Sequence, residues 1–357
     1  MHIVLAGSGK IASNIGISLL QKGHSVCWYA GSEQTRRKLE SKVNKRTGTL
    51  HRRGLLEADT ADVSFLLYTD VCRRQADLVI EATSEKLTKK KIVMQHVRRM
   101  YGDIPAVSTS SSILPSEIGF DVHGMHCFYP VDLIRCVEYI PCSGSREANQ
   151  TLKTVESLGF HPVLQNEQTA FAANRILLPL QAEAIRLLKR GLGFRQVDSL
   201  SENALIAGGQ LSLMRSIGSK LLCECIPRYC ARMEPNERDD YDELLSVLRQ
   251  EVSGGIGELL TEENAGTWHP DESGMEQIRQ LFVALITLSC IREIDRGLDV
   301  AALDMLLSQV FGASASLNDV VDNIGAKNLQ DVLKTGYEST SREYMNGWQK
   351  IKNMCKH

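Results

Sequence analysis

Between Gly124 and Tyr139 the chain reads Gly-Met-His-Cys-Phe-Tyr-Pro, a short turn, then Arg-Cys-Val-Glu-Tyr. His126 and Glu138 are the residues of this stretch that can do chemistry. A neutral imidazole can take a proton from an alcohol near neutral pH. A carboxylate behind it fixes the tautomer and stabilises the imidazolium that forms. The bland alternative is a structural histidine packed beside an aromatic ring and a proline. His123 and His126 are three apart and fall on opposite faces of a strand, so they do not make a metal site.

Such a pair needs a scaffold, and the chain opens on one. Ile3-Val4-Leu5-Ala6 is a continuous apolar run, as a strand buried on both faces requires. Gly7-Ser8-Gly9-Lys10-Ile11-Ala12 follows at once, then a helix with Ile15, Leu19 and Leu20 on its apolar face, then Val26-Cys27-Trp28-Tyr29 as a second strand. Gly7 permits the tight turn, Gly9 lets backbone approach a pyrophosphate, and small Ala12 lets helix and strand pack closely. The helix N-terminus offers free N–H groups and a positive dipole end, so this unit reads as dinucleotide-binding.

The second strand ends on Ala30-Gly31-Ser32, with Arg36 and Arg37 close behind, where an acidic residue would hold the ribose hydroxyls of NAD. A hydroxyl and guanidinium groups there favour a 2′-phosphate, hence NADP over NAD; the alternative is a solvated basic helix face. From Arg36 to Arg53 the charged residues are Arg36, Arg37, Lys38, Lys42, Lys45, Arg46, Arg52 and Arg53 against a single acid, Glu40. This reads as a helical hairpin whose basic side meets a phosphate-bearing substrate, or is simply exposed. Strands resume at Asp77–Ala82 and at Ala106–Ser112, separated by a helix from Leu87 to Met100. The second of these dissolves into hydroxyls where an open parallel sheet binds ligands. A helix over 145–158 and a last strand, His161–Leu164, complete this part; beyond Thr169 the pattern is helical.

Composition narrows the class. With 41 Lys+Arg against 43 Asp+Glu, no global field attracts nucleic acid or an anionic membrane. No apolar run approaches a membrane span. The N-terminus enters a strand without the pattern of a signal peptide. Ten irregularly spaced cysteines suggest reduced thiols, and Cys223, Cys225 and Cys230 read as core thiols. A cytoplasmic protein is the expectation.

Together these residues resemble the 3-hydroxyacyl-CoA dehydrogenase family. The resemblance rests on Gly7-Ser8-Gly9 with Gly23-His24, Asp77–Ala82 with Glu85 and Lys90, and Ser108–Ser112. It continues through Gly124-Met125-His126, Val137-Glu138, and Asn174-Arg175 before Glu183–Leu188. It implies an N-terminal Rossmann-type doubly wound α/β domain followed by all-α domains, and hydride transfer between NAD or NADP and a 3-hydroxyacyl or 3-oxoacyl thioester. The acyl group would ride on coenzyme A or an acyl carrier protein. It also implies His126 as general base, Glu138 as its orienting acid, Ser111 and Asn174 as ligands of the substrate oxygens, and Glu85 and Lys90 beside the nicotinamide half of the cofactor. Three positions depart from the family pattern: Thr109 and Tyr129 each replace an asparagine, and Ala207–Leu211 replaces a Gly- and Pro-rich stretch. Ser108–Ser116 also resembles relatives that oxidise free hydroxy acids such as carnitine or gulonate, so that chemistry, or a catalytically silent binding homologue, stands as the alternative.

The helical part repeats itself. Arg175–Leu180 running to Ile185–Gly191 matches Arg279–Leu285 running to Ile291–Gly297. Asp198 matches Asp304, and Ser216-Ile217-Gly218 matches Asn323-Ile324-Gly325. The expected domains are 1–168 for the dinucleotide, 169–233 and 272–357 as two tandem helical repeats, and 234–271 as the connection, its surface linker near Glu234 to Asp242. A fused second copy can take the place of a dimer partner, which predicts a monomer with an internal pseudo-dimer.

Overall fold

The computed structural model describes residues 1–56, 62–70, 74–145, 148–203, 205–234, 241–254 and 260–336. The chain divides into two compact units, Met1–Ala170 and Phe171–His357.

In the first unit the elements run β1 (His2–Ala6), α1 (Lys10–Gln21), β2 (Ser25–Ala30), α2 (Glu33–Arg52), β3 (Val63–Leu67), β4 (Leu78–Glu81), α3 (Leu87–Tyr101), β5 (Ala106–Ser108), α4 (Pro115–Ile118), β6 (His123–Cys127), β7 (Cys136–Ile140), α5 (Ala148–Ser157) and β8 (His161–Leu164). Among the described residues they form one sheet in the order β3-β2-β1-β4-β5-β6-β7-β8. Pairing is parallel throughout except between β6 and β7. Alternate residues of the apolar strands feed two cores. Leu5, Trp28 and Ile80 join one; Val4, Ala6, Tyr29 and Val79 join the other. Burial on both faces is why these strands read as unbroken apolar runs. Strand order reverses at β1 and β4, the switch point beside which open α/β sheets bind ligands.

The basic stretch is one helix, not a hairpin. α2 runs unbroken from Glu33 to Arg52, opened by Ser32, whose hydroxyl accepts from Thr35 N at 3.2 Å. Leu39, Val43 and Leu50 are buried along it. That stripe holds the helix past Gly48, which costs only a fraction of the stripe's burial. The expected helix over 145–158 is seen as α5; residues 146 and 147 of that span lie outside the described residues.

The second unit is helical: α6 (Ala172–Lys189), α7 (Phe194–Ser201), α8 (Gln210–Ile217), α9 (Ser219–Cys230), α10 (Asp242–Val252), α11 (Glu272–Asp295), α12 (Val300–Met305), α13 (Leu317–Ile324) and α14 (Ala326–Gly336). α6–α9 and α11–α14 follow one plan of a long helix, a short one, another short one and a longer last one. Each long helix is followed by a glycine in the left-handed region, Gly191 (φ 96°) and Gly297 (φ 98°), and each third helix by another, Gly218 (φ 94°) and Gly325 (φ 90°). The sequence landmarks are therefore helix stops, where only glycine is unstrained. α6 and α11 are joined by the buried ion pair of Arg175 and Glu293, with Arg175 Nε 2.8 Å from Oε1.

The Ala207–Leu211 stretch retains one working glycine. Asp198 accepts from Leu211 N at 2.7 Å and Ser212 N at 3.1 Å, capping α8 from a neighbouring helix. A Cβ on Gly209 would lie 2.2 Å from the Asp198 carboxyl carbon. Among the later helices Ser316 caps α13 locally, its hydroxyl accepting from Asp319 N. Of the expected linker, residues 235–240 lie outside the described residues, while Tyr241 at its end is buried. No helix among the described residues is long and apolar enough to cross a membrane.

Candidate active site

The glycine turn sits at the end of β1. Gly7 takes φ 137°, and a Cβ there would fall 2.1 Å from Ala82 O, so no side chain fits. Gly7 N donates to Tyr29 O at 3.1 Å and its carbonyl accepts from Trp28 Nε1 at 2.7 Å, fixing the turn against β2. Gly9 is the N-cap of α1, makes no side-chain cap and has open space where a Cβ would stand. Ala12 is fully buried behind it. An uncapped helix start with an open approach suits a pyrophosphate, so these residues fit a dinucleotide.

At the end of β2, Ser32 and Arg36 have local partners. Arg36 Nη2 and Arg37 Nε both donate to Glu33 Oε1, at 2.8 and 2.7 Å. The Arg36 bonds, then those of Arg37, hold the Glu33 carboxyl down at about 2.

Beyond β4 and β5 lies a buried ionic cluster. Lys90, wholly buried on α3, places its ammonium 2.9 Å from Glu81 Oε2 and 3.8 Å from Glu85 Oε2. Glu81 also accepts from Ser108 Oγ at 2.6 Å and Thr83 N at 2.7 Å. Burial alone would raise the Glu81 carboxyl, but the Lys90 charge and the bonds from Ser108 and Thr83 outweigh it and lower it below the ordinary value. Glu85 Oε1 accepts from Ser110 Oγ at 2.6 Å, Ser111 N at 3.2 Å, Ser112 N at 2.8 Å and Ser112 Oγ at 2.7 Å. The serine run is thus folded around a carboxylate, which sets where Ser111 stands.

His126 and Glu138 face each other across the antiparallel β6–β7 pair, in direct register. His126 Nδ1 and Glu138 Oε2 are 2.5 Å apart, with Glu138 fully buried and His126 5% exposed. An ionised carboxylate only accepts, so Nδ1 carries the proton and Nε2 is left as the acceptor. The Phe128 ring meets the imidazole edge-on, centroids 4.7 Å apart. His123 instead serves the opposite face, its Nδ1 accepting from Cys142 N at 3.0 Å. Because β5 and β6 are parallel neighbours, the Ser111 loop and His126 leave the same edge of the sheet. Asn174 belongs to the second unit, on the first turn of α6, where its N donates to Phe171 O at 3.1 Å. Tyr129 is 52% exposed, and Lys10 Nζ lies 6.0 Å from its ring centroid.

Two partners escape a reading of the sequence alone. Gln165 Nε2 donates to Glu138 Oε1 at 2.7 Å, and Glu81 anchors Lys90. Gln165 carries one faint signal: it stands two residues past Val163, on the same buried face of β8, where an apolar side chain would be ordinary. Among the described residues no group of three His, Cys, Asp or Glu side chains is placed to hold a metal.

A dinucleotide-binding domain is the class this fold and glycine turn define. Residues 2–168 match the family described as 3-hydroxyacyl-CoA dehydrogenase, NAD binding domain. That match covers the first unit and leaves the helical unit outside it. The 3-hydroxybutyryl-CoA dehydrogenase of Clostridioides difficile is 29% identical over 213 residues, covering 55% of this chain and 74% of that protein. The 3-hydroxyadipyl-CoA dehydrogenase of Escherichia coli K12 is 26% identical over 231 residues, 60% of this chain and 49% of that protein. In fold, the chain matches the 3-hydroxybutyryl-CoA dehydrogenase structure from Escherichia coli K12 with TM-score 0.71, 18% identity and 95% of each chain covered.

Proposed function

We propose that the protein interconverts 3-hydroxyacyl and 3-oxoacyl thioesters. The observation that carries this reading is the buried 2.5 Å bond between His126 Nδ1 and Glu138, which turns Nε2 toward a substrate hydroxyl. In the oxidative direction Nε2 takes the hydroxyl proton and Glu138 stabilises the imidazolium; in reduction the proton returns. The bound nicotinamide supplies the hydride acceptor or donor. Ser111 and Asn174 are the proposed ligands of the substrate oxygens. Gly7, Gly9 and Ala12 form the cofactor turn, with Glu85 and Lys90 fixing the loop beside its nicotinamide half. The names of the relatives favour coenzyme A as the carrier, and the exposed basic residues of α2 suit its phosphates or an acidic carrier protein. The described cysteines are free thiols, which fits a reducing, cytoplasmic setting. Spectrophotometric assay of acetoacetyl thioesters and free hydroxy acids with both cofactors tests this. Turnover confined to free acids would overturn it.

For the cofactor, we take NADP as favoured over NAD, with Ser32, Arg36 and Arg37 at the 2′-phosphate. Glu33 already neutralises part of that charge, so the preference is modest. Glu33→Gln is expected to tighten NADPH roughly twofold to fivefold, the worth of an exposed ion pair, and to leave NADH unchanged. Fluorescence titration measures both, and tighter binding of NADH than NADPH by the unaltered protein contradicts the assignment.

We read the second unit as two tandem copies, 169–233 and 272–357, connected by 234–271 and packed about a pseudo-two-fold axis. The Arg175–Glu293 pair between α6 and α11 supports this. A monomer is the expected solution state, and light scattering showing a tight dimer paired through 175–230 would contradict it.

A further inference from the structure

We propose that Gln165 is a positioning residue of the proton-transfer pair, one that sets the basicity of Glu138 and through it the pH at which His126 works. This rests on the function proposed above, in which His126 moves the proton.

The geometry is a three-strand relay. β6 carries His126, β7 carries Glu138, and Gln165 follows β8 directly. Glu138 pairs in register with His126 on one side and Val163 on the other. Gln165 N continues the ladder to Tyr139 O at 2.9 Å, which locks the backbone that delivers its side chain. Each carboxylate oxygen of Glu138 then has its own donor: Oε2 faces His126 Nδ1 at 2.5 Å, and Oε1 receives Gln165 Nε2 at 2.7 Å. All three residues are buried, with Gln165 5% exposed. Because the carboxylate only accepts, the amide must turn its NH2 group toward it.

A donor on Oε1 has two effects. It prevents Glu138 from rotating away from the imidazole, and it draws charge from the carboxylate, so Glu138 holds a proton on His126 less strongly. Of the other titratable groups on β7, burial pushes the Cys136 thiol to about 12 and also raises the Tyr139 hydroxyl, so both are neutral. In the flanking segments Glu117 accepts from Leu114 N and Glu167 from Ser116 N.

The test uses the full-length protein with 15N-labelled histidine, without cofactor or substrate, comparing the unaltered chain with Gln165→Met and Gln165→Glu. Methionine keeps the volume and removes the donor. Glutamate keeps the shape, and because two buried carboxyls this close share a proton, its acid form still donates to Oε1. His126→Gln assigns the ring resonances. The His126 midpoint is expected to rise by about half to one pH unit in Gln165→Met and by less in Gln165→Glu, which keeps a donor. In turnover, the acid limb of the oxidative kcat profile should move by the same amount, with kcat below the new midpoint lower by roughly threefold to tenfold and KM unchanged. An unmoved midpoint in folded Gln165→Met overturns the proposal, as does a larger rise in Gln165→Glu than in Gln165→Met. The titration needs no substrate, so loss of the thioester assignment leaves it decisive, and a shifted midpoint without thioester turnover would fault the function alone.

Discussion

Replacing His126 with glutamine is expected to lower turnover by about two to four orders of magnitude, the usual worth of a positioned acid–base group. Glutamine can still bond Glu138 but cannot accept and return a proton. Glu138→Gln should also slow the reaction, because a neutral amide neither stabilises the imidazolium nor enforces the Nδ1–H tautomer. The two groups act as one unit, so the double variant should be far less impaired than the product of the single losses. Steady-state kinetics on the responsive thioester, with substrate and cofactor KM followed separately, give the answer. Full turnover by His126→Gln would remove the assignment.

The second large effect is on stability. Lys90→Met leaves Glu81, wholly buried, without its cation, and breaking one side of a buried pair costs about 3–5 kcal/mol. The sign of the pH dependence is diagnostic. In the intact protein the Glu81 carboxyl is lowered, so its contribution is present above the ordinary carboxylate range and fades as pH falls through the folded value. In Lys90→Met burial wins and the carboxyl rises, so the variant should regain stability relative to the intact protein on acidification. Urea unfolding from neutral to mildly acidic pH measures both. A loss under about 1 kcal/mol, the value of an exposed pair, would mean that water reaches this cluster.

The architecture of the first unit was legible because its cause is local. A strand buried on both faces must be apolar at every position, and a glycine turn must follow it before the helix. The basic stretch misled for a nearby reason: its charges are conspicuous, while the three residues that make it one helix, Leu39, Val43 and Leu50, are spaced too widely to stand out. Arg36 and Arg37 read as phosphate ligands because their charges stand out, whereas Glu33, three and four residues before them, pairs with both. In the site, His126 and Glu138 could be paired from one short stretch because β6 and β7 are consecutive antiparallel neighbours. Glu85 and the serine loop, or Glu138 and Gln165, meet only because strands distant in sequence lie side by side. No local periodicity encodes that.

The ion pair between α6 and α11 is one-sided. At the spacing that carries Gly191 onto Gly297, Arg175 falls on Leu281 and Glu293 falls on Leu187. The two positions that carry the ion pair are matched, at that spacing, by two leucines. Under the proposed pairing, two first copies would set Arg175 against Leu187 and cost it Glu293, whereas Glu293 also pairs with Arg296, 2.6 Å away. Under that reading, the first copy fits the second better than it fits itself, and one chain holds both halves of the pairing.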